Sequence, residues 1–197
     1  MYILYYYNCY MPEFNFLYHN KSDFVKSPND FGANGSTLIL IEDSNNNYGE
    51  IKILNAPSDS LLIKIDEDKF DVRQVFMSSQ GICKKADYIL ITKEKKKVIF
   101  IELKFPKPKS RNNNIDNKDI SYQLLGAKCL FDYIKSIIES RGFNNTFHDY
   151  VFEFSAIIKH SKKIKHSLTK PTGLPSHDNF IKITTSNVAI SYREIVS

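Results

Sequence analysis

Residues 85–104 read KADYILITKEKKKVIFIELK. Two apolar runs flank a charged turn, so the stretch predicts a β-hairpin. Its midpoint falls at Glu94 and Lys95, and reflection about that point sets Asp87 opposite Glu102. Side chains alternate faces along a strand, so Glu102 and Lys104 share one face and Leu103 takes the other. Facing residues of an antiparallel pair have Cβ atoms about 4.5–5.5 Å apart. Two carboxylates that close repel each other unless a cation lies between them. Mg2+ suits such a pair, because it takes one or two carboxylates, keeps several waters and binds phosphate oxygens. The backbone carbonyl of Leu103 offers one more oxygen. Lys104 stands where an ammonium orients a water or offsets charge on a phosphate, and where desolvation would let it act as a base.

The run VIFIELK adds weight. A strand apolar on both faces is buried, and a buried strand rarely ends in a charge pair without a chemical reason. The plainer alternative makes Glu102 and Lys104 solvated strand-end charges and Asp87 a turn cap.

Outward from the hairpin, residues 118–140 carry the best helical pattern in the chain. Ile120, Leu124, Ala127, Leu130, Phe131, Ile134, Ile137 and Ile138 recur at near-helical spacing, and Gly142 follows as a stop. Residues 37–54 predict a second hairpin around an Asn run. SLLIKIDE, YVFEFSAII, FIKITTS and VAISYREIV are further strand candidates, as is the tyrosine-rich opening MYILYYYNCYM. MPEFNFLYHN predicts a short helix with Pro12 in its first turn. The expectation is a mixed α/β domain spanning residues 1–197, a central mixed sheet flanked by helices. Its core covers about 61–158, with elaborations at 1–60 and 159–197.

The chain has 197 residues, 42% hydrophobic and 25% charged, with a formal net charge of +5. That is enough for one substantial core, and it suits a polyanionic partner without demanding one. Three cysteines, Cys9, Cys83 and Cys129, are widely spaced and odd in number, which argues against a disulfide framework or a zinc knuckle. They read as reduced thiols of a cytoplasmic protein, with Cys83 and Cys129 as packing residues. The opening segment is too short to span a bilayer and lacks the basic start of a signal peptide, so no membrane partner is expected.

Basic residues cluster twice. Lys107, Lys109 and Arg111 follow Lys104 directly, and Lys162, Lys163 and Lys165 lie in a second loop after the strand YVFEFSAII. Both read as contacts to a nucleic-acid backbone, against the alternative of solvated loops. His160 and His166 raise a metal-free ribonuclease reading that their spacing does not support.

Asp87, Glu102-Leu103-Lys104 and the helix that follows resemble the core of the PD-(D/E)xK nuclease superfamily, which includes restriction endonucleases and Holliday-junction resolvases. The resemblance implies a restriction endonuclease-like fold over about residues 61–158 and phosphodiester hydrolysis with Mg2+ or Mn2+. It implies Asp87 and Glu102 as metal ligands and Lys104 as a catalytic group. DNA is the favoured substrate, a homodimer the way to cut two strands, and defence or restriction a plausible setting. Ala86 stands where the family often has proline. The helix supplies Gln123 for the Gln-x-x-x-Tyr found in some branches but has Ala127 where the tyrosine would be, so Gln123 carries over as a site-lining residue. Many members add a glutamate from an early helix, for which Glu13, Glu50 and Glu67 are candidates. The competing reading from another class is a non-catalytic module that binds nucleic acid or protein with a vestigial acidic pair.

Overall fold

A computed structural model describes residues 25–26, 37–44, 47–65, 84–106, 115–143 and 147–197. The strands in chain order are β1 (Val25–Lys26), β2 (Thr37–Ser44), β3 (Asn47–Leu54), β4 (Ser60–Lys64), β5 (Tyr88–Thr92) and β6 (Lys97–Lys104). The helix α1 (Asn117–Ser140) follows, then β7 (Val151–Lys159), β8 (Ser167–Thr169), β9 (Ile181–Thr185) and β10 (Ala189–Ser191). The 61–158 stretch accounts for β4 to β7. The segment after it supplies two more strands of the same sheet.

Seven strands form the main sheet in the order β1-β4-β5-β6-β7-β9-β8. β4, β5 and β6 run as an antiparallel meander. β7 then lies parallel to β6, and β9 parallel to β7. A parallel neighbour requires a crossover connection, and α1 provides it between β6 and β7. The carboxyl ends of β6, β7 and β9 therefore share one end of the sheet, where α1 and the antiparallel β5 both begin. Open sheets of this kind present ligand crevices outside the carboxyl ends of their parallel strands.

β6 is buried along its interior, as its unbroken apolar run requires. Its even-numbered side chains, with Ile89 and Ile91 of β5, pack against Ile120, Leu124, Ala127, Phe131 and Ile134 of α1. Phe100 sits edge-on to Phe131 at 6.0 Å between ring centroids and 5.1 Å from Phe154. Its odd-numbered side chains pack the other way, against Leu38, Leu40, Ile51 and Ile53 of a second sheet. That sheet has the order β10-β3-β2. The expectation is a sheet flanked by helices; among the described residues one face carries a single helix and the other a three-stranded sheet. The expected closing strand VAISYREIV does not extend the main sheet. Its β10 pairs parallel with β3 and ends in a 3-10 turn at Tyr192–Glu194. The basic loop also holds a short strand, β8, that no pattern announced.

The ends of α1 follow its sequence. Asp116 caps the start by accepting from the Lys118 N–H at 2.9 Å. Gly142, at φ +93°, closes the end, where its N–H donates to the Glu139 carbonyl and that of Phe143 to Ile138. The predicted short helix at MPEFNFLYHN and the opening strand lie outside the described residues, as do Cys9 and Cys83. Cys129 is exposed on α1, which corrects the expectation that it packs in the core. Among the described residues no helix is long and apolar enough to cross a membrane.

Gly126 sets how closely α1 approaches the chain leading into the hairpin. A Cβ there would fall 1.6 Å from the Lys84 carbonyl oxygen, a backbone atom that cannot swing aside. Alanine in place of glycine within a helix ordinarily stabilises by about 1 kcal/mol. Here the sign reverses. Gly126→Ala is expected to destabilise by about 1–3 kcal/mol, read from urea unfolding, because α1 must move off the 84–87 segment. A more stable variant would show that this close contact does not form.

Candidate metal centre

The β5–β6 register pairs Tyr88 with Ile101, and one step further sets Asp87 opposite Glu102. Asp87, Glu102 and Lys104 all share the α1-facing parity of Ile89, Val98 and Phe100. Asp87 Oδ2 accepts from the backbone N–H of Leu103 at 2.5 Å. The N–H and C=O of one strand residue point to the same edge. The Leu103 carbonyl is therefore turned toward the Asp87 side as well. Lys104 Nζ is ion-paired with Glu102 Oε1.

Glu102 is only 1% exposed, and its second oxygen, Oε2, is buried without a hydrogen-bond partner. The same strand system shows what a satisfied buried glutamate looks like. Glu153 on β7 is 0% exposed, yet it binds Lys97 Nζ at 2.6 Å, Ser197 Oγ at 2.8 Å and the Ser197 N–H at 3.1 Å. Leaving a buried carboxylate oxygen unmatched costs free energy.

Burial pushes the Glu102 carboxyl well above the usual carboxylate range, and the Asp87 charge pushes it the same way. Lys104 pulls it down without prevailing, and Glu42 adds a further upward push. Burial also works against the Lys104 ammonium, but Glu102, Asp87 and Asp119 outweigh it and raise the lysine pKa. In this state Lys104 is a fixed cation, so orienting water or phosphate is its available role, not proton abstraction.

Glu42 is the acidic residue that sequence reasoning missed. It sits on β2 with the inward parity of Leu38 and Leu40, opposite Gly49. Phe105, the residue after Lys104, lies against Gly49 so closely that a Cβ there would meet its ring at 2.2 Å. Glu42 thus approaches the strand ends from the second sheet. The alternation in TLILIEDS gave its facing, but nothing local gave what it faces. Of the earlier candidates, Glu50 belongs to the opposite parity and pairs with Lys52 at 3.7 Å, so it does not complete the site. Glu13 and Glu67 lie outside the described residues.

Gln123 is on α1, one turn after Asp119, with its Oε1 buried and lacking a hydrogen-bond partner. Asp119 is ion-paired with Lys84, and its charge reaches Lys104. This flank of the helix therefore borders the acidic pair. Lys162, Lys163 and Lys165 are exposed in the loop after β7, and the pairing of Lys104 with Ile158 puts that loop at the site's end of the sheet. Lys107, Lys109 and Arg111 lie outside the described residues. His166 Nε2 lies 2.7 Å from Glu194, at the 3-10 turn. The His160 backbone N–H donates to Thr185.

Among the described residues no three His, Cys, Asp or Glu side chains gather tightly enough to hold a metal by themselves. What is present is a two-carboxylate, all-oxygen set with a backbone carbonyl turned toward it and one orphaned carboxylate oxygen. That set fits Mg2+ or Mn2+, which keep much of their water, better than a metal that seeks nitrogen or sulfur. No family model, curated protein or solved structure matches this chain.

The electrostatics have a consequence for stability. A folded-state pKa raised above the unfolded value means the native protein holds that proton longer, so stability falls as pH rises through the interval. The interval begins near the ordinary value of 4.5 for Glu102. The raised Lys104 pKa acts only above the ordinary lysine range and leaves this window alone. In EDTA, Glu102→Gln should therefore gain stability relative to the parent protein as pH is raised from about 4.5 to neutrality. Urea midpoints at stepped pH report it, and parallel curves for the two proteins would rule out the burden assigned to Glu102.

Proposed function

We propose that this chain is a metal-dependent nuclease that hydrolyses phosphodiester bonds, DNA in preference to RNA, with a restriction endonuclease-like core of the PD-(D/E)xK kind. The observation that carries the reading is the buried Asp87–Glu102 pair, opposed across one hairpin, with an unsatisfied carboxylate oxygen and Lys104 on the same face. The order of an antiparallel meander, a crossover helix and a parallel strand supports it.

Asp87, Glu102 and the Leu103 carbonyl would hold Mg2+ or Mn2+. The cation would supply charge neutralisation at the phosphate and a lowered pKa for water. Asp87 is kept in place by the Leu103 N–H, so its free rotation is spent before substrate arrives. Glu102 and Asp87 favour the charged form of Lys104 beside the pair. That ammonium orients the attacking water or a phosphate oxygen through a charge-assisted hydrogen bond. Gln123 lines the helix side. Lys162, Lys163 and Lys165 engage the nucleic-acid backbone, which makes binding salt-dependent. Two copies would bring two such centres to a duplex.

The test is cleavage of plasmid DNA, and of RNA in parallel, in Mg2+ against EDTA. The parent protein should cut only with the cation, and Asp87→Asn and Lys104→Ala should each lose about a hundredfold or more in rate. Both variants remove a buried interaction, so circular dichroism must first confirm that they fold. Cleavage that survives EDTA would overturn the metal assignment. A thermal shift with Mn2+ but no cleavage would leave a binding module in place of an enzyme.

A further inference from the structure

The Tyr88 hydroxyl makes two bonds to one peptide segment. It donates to the Ile41 carbonyl at 2.7 Å and accepts from the Ile41 N–H at 2.8 Å. A side chain that meets both backbone groups of one strand residue fixes that strand in position and rotation together. The two clamped residues are also the neighbours of acids: Tyr88 follows Asp87, and Ile41 precedes Glu42. The clamp thus ties the segment bearing one carboxylate to the segment bearing another, across two separate sheets. Phe105 against Gly49 makes a second tie from the residue after Lys104. The Tyr88 ring is itself 4% exposed within the layer between the sheets. The hydroxyl is therefore the polar tip of a core residue, aimed at the one stretch of β2 that ends in an inward-facing acid.

We propose that Tyr88 is a positioning residue for the metal centre, its hydroxyl holding the Ile41 peptide so that Glu42 stands at the same end of the two sheets as the Asp87–Glu102 pair. The inference rests on the cation site of the preceding reading and adds a residue that touches neither cation nor substrate. Glu42 would act on a bound cation at longer range than Asp87 and Glu102, through its charge. Groups that orient a metal's surroundings in this way typically change affinity by about 10–100-fold when removed. The second sheet becomes a working part of the centre, not only the cover of the apolar face.

Titration of the full chain with Mn2+ by calorimetry, without nucleic acid, separates the possibilities. Tyr88→Phe keeps the ring and removes only the oxygen, so the core stays filled. It should weaken Mn2+ binding by about tenfold, as should Glu42→Gln, which leaves the clamp untouched. The double variant should bind no more weakly than Glu42→Gln alone, because the tyrosine acts through the glutamate. A hydroxyl that only stabilises the fold would lower the unfolding midpoint, leave Mn2+ affinity alone and add independently to Glu42→Gln. Asp87→Asn is the control for the underlying site. If it abolishes Mn2+ binding while Tyr88→Phe binds like the parent, the clamp is wrong and the site stands. If Asp87→Asn binds like the parent, the site is wrong and the clamp falls with it.

Discussion

The structure depends on one unresolved repulsion. Asp87 and Glu102 stand opposite each other at the end of a hairpin whose interior is fully apolar. Neither acid can move away without shifting the register, and a one-residue slip would turn the apolar set of β6 from the helix to the second sheet. Lys104 offsets part of the repulsion through Glu102 Oε1 but leaves Oε2 unmatched. The hydrophobic interlock thus holds two carboxyl groups together. Glu153, buried as deeply in the neighbouring strand, is fully provided with donors. The contrast sets Glu102 apart from Glu153, and the proposed cation site is built on it.

The rest of the fold serves to bring groups to that end of the sheet. Parallel β6, β7 and β9 discharge their loops there, and β5 delivers Asp87 there because it runs the other way. α1 begins at the same end, with Gly126 allowing it to lie directly on the Lys84 backbone. Asp119 and Gln123 come with that flank of the helix, and the lysines of the loop after β7 project from the same end of the sheet. From the opposite layer, the Tyr88 hydroxyl holds Ile41 of β2, the residue before Glu42.

How much of this was legible in the sequence follows the range of the interactions. The hairpin register could be read because it depends on one turn: the midpoint at Glu94 and Lys95 sets every pair down to Asp87 and Glu102. α1 could be read because its apolar spacing and Gly142 are local. The hairpin of β2 and β3 was legible for the same reason, and its pairing runs from Thr37 with Leu54 to Ser44 with Asn47. What escaped is what lies between distant segments. TLILIEDS shows that Glu42 faces inward with Leu38 and Leu40, but not that the layer beneath ends at Asp87. IKILNAP gives no sign that β3 will accept β10 as a parallel partner. SLT in β8 is too short and polar to stand out from the surrounding loop, and only its pairing with β9 makes it a strand.

Charge at the centre accounts for the arrangement as a whole. Burial first, and then the Asp87 charge, drives the Glu102 carboxyl upward, so the carboxyl holds its proton longer. Glu42 pushes the same way more weakly, and Lys104 pulls against them. On the proposed reading, a bound cation would offset this charge for an incoming phosphodiester, and the Lys104 ammonium would be available to the phosphate. A site built only for stability would have replaced both acids with apolar residues of similar size, at little loss to the fold.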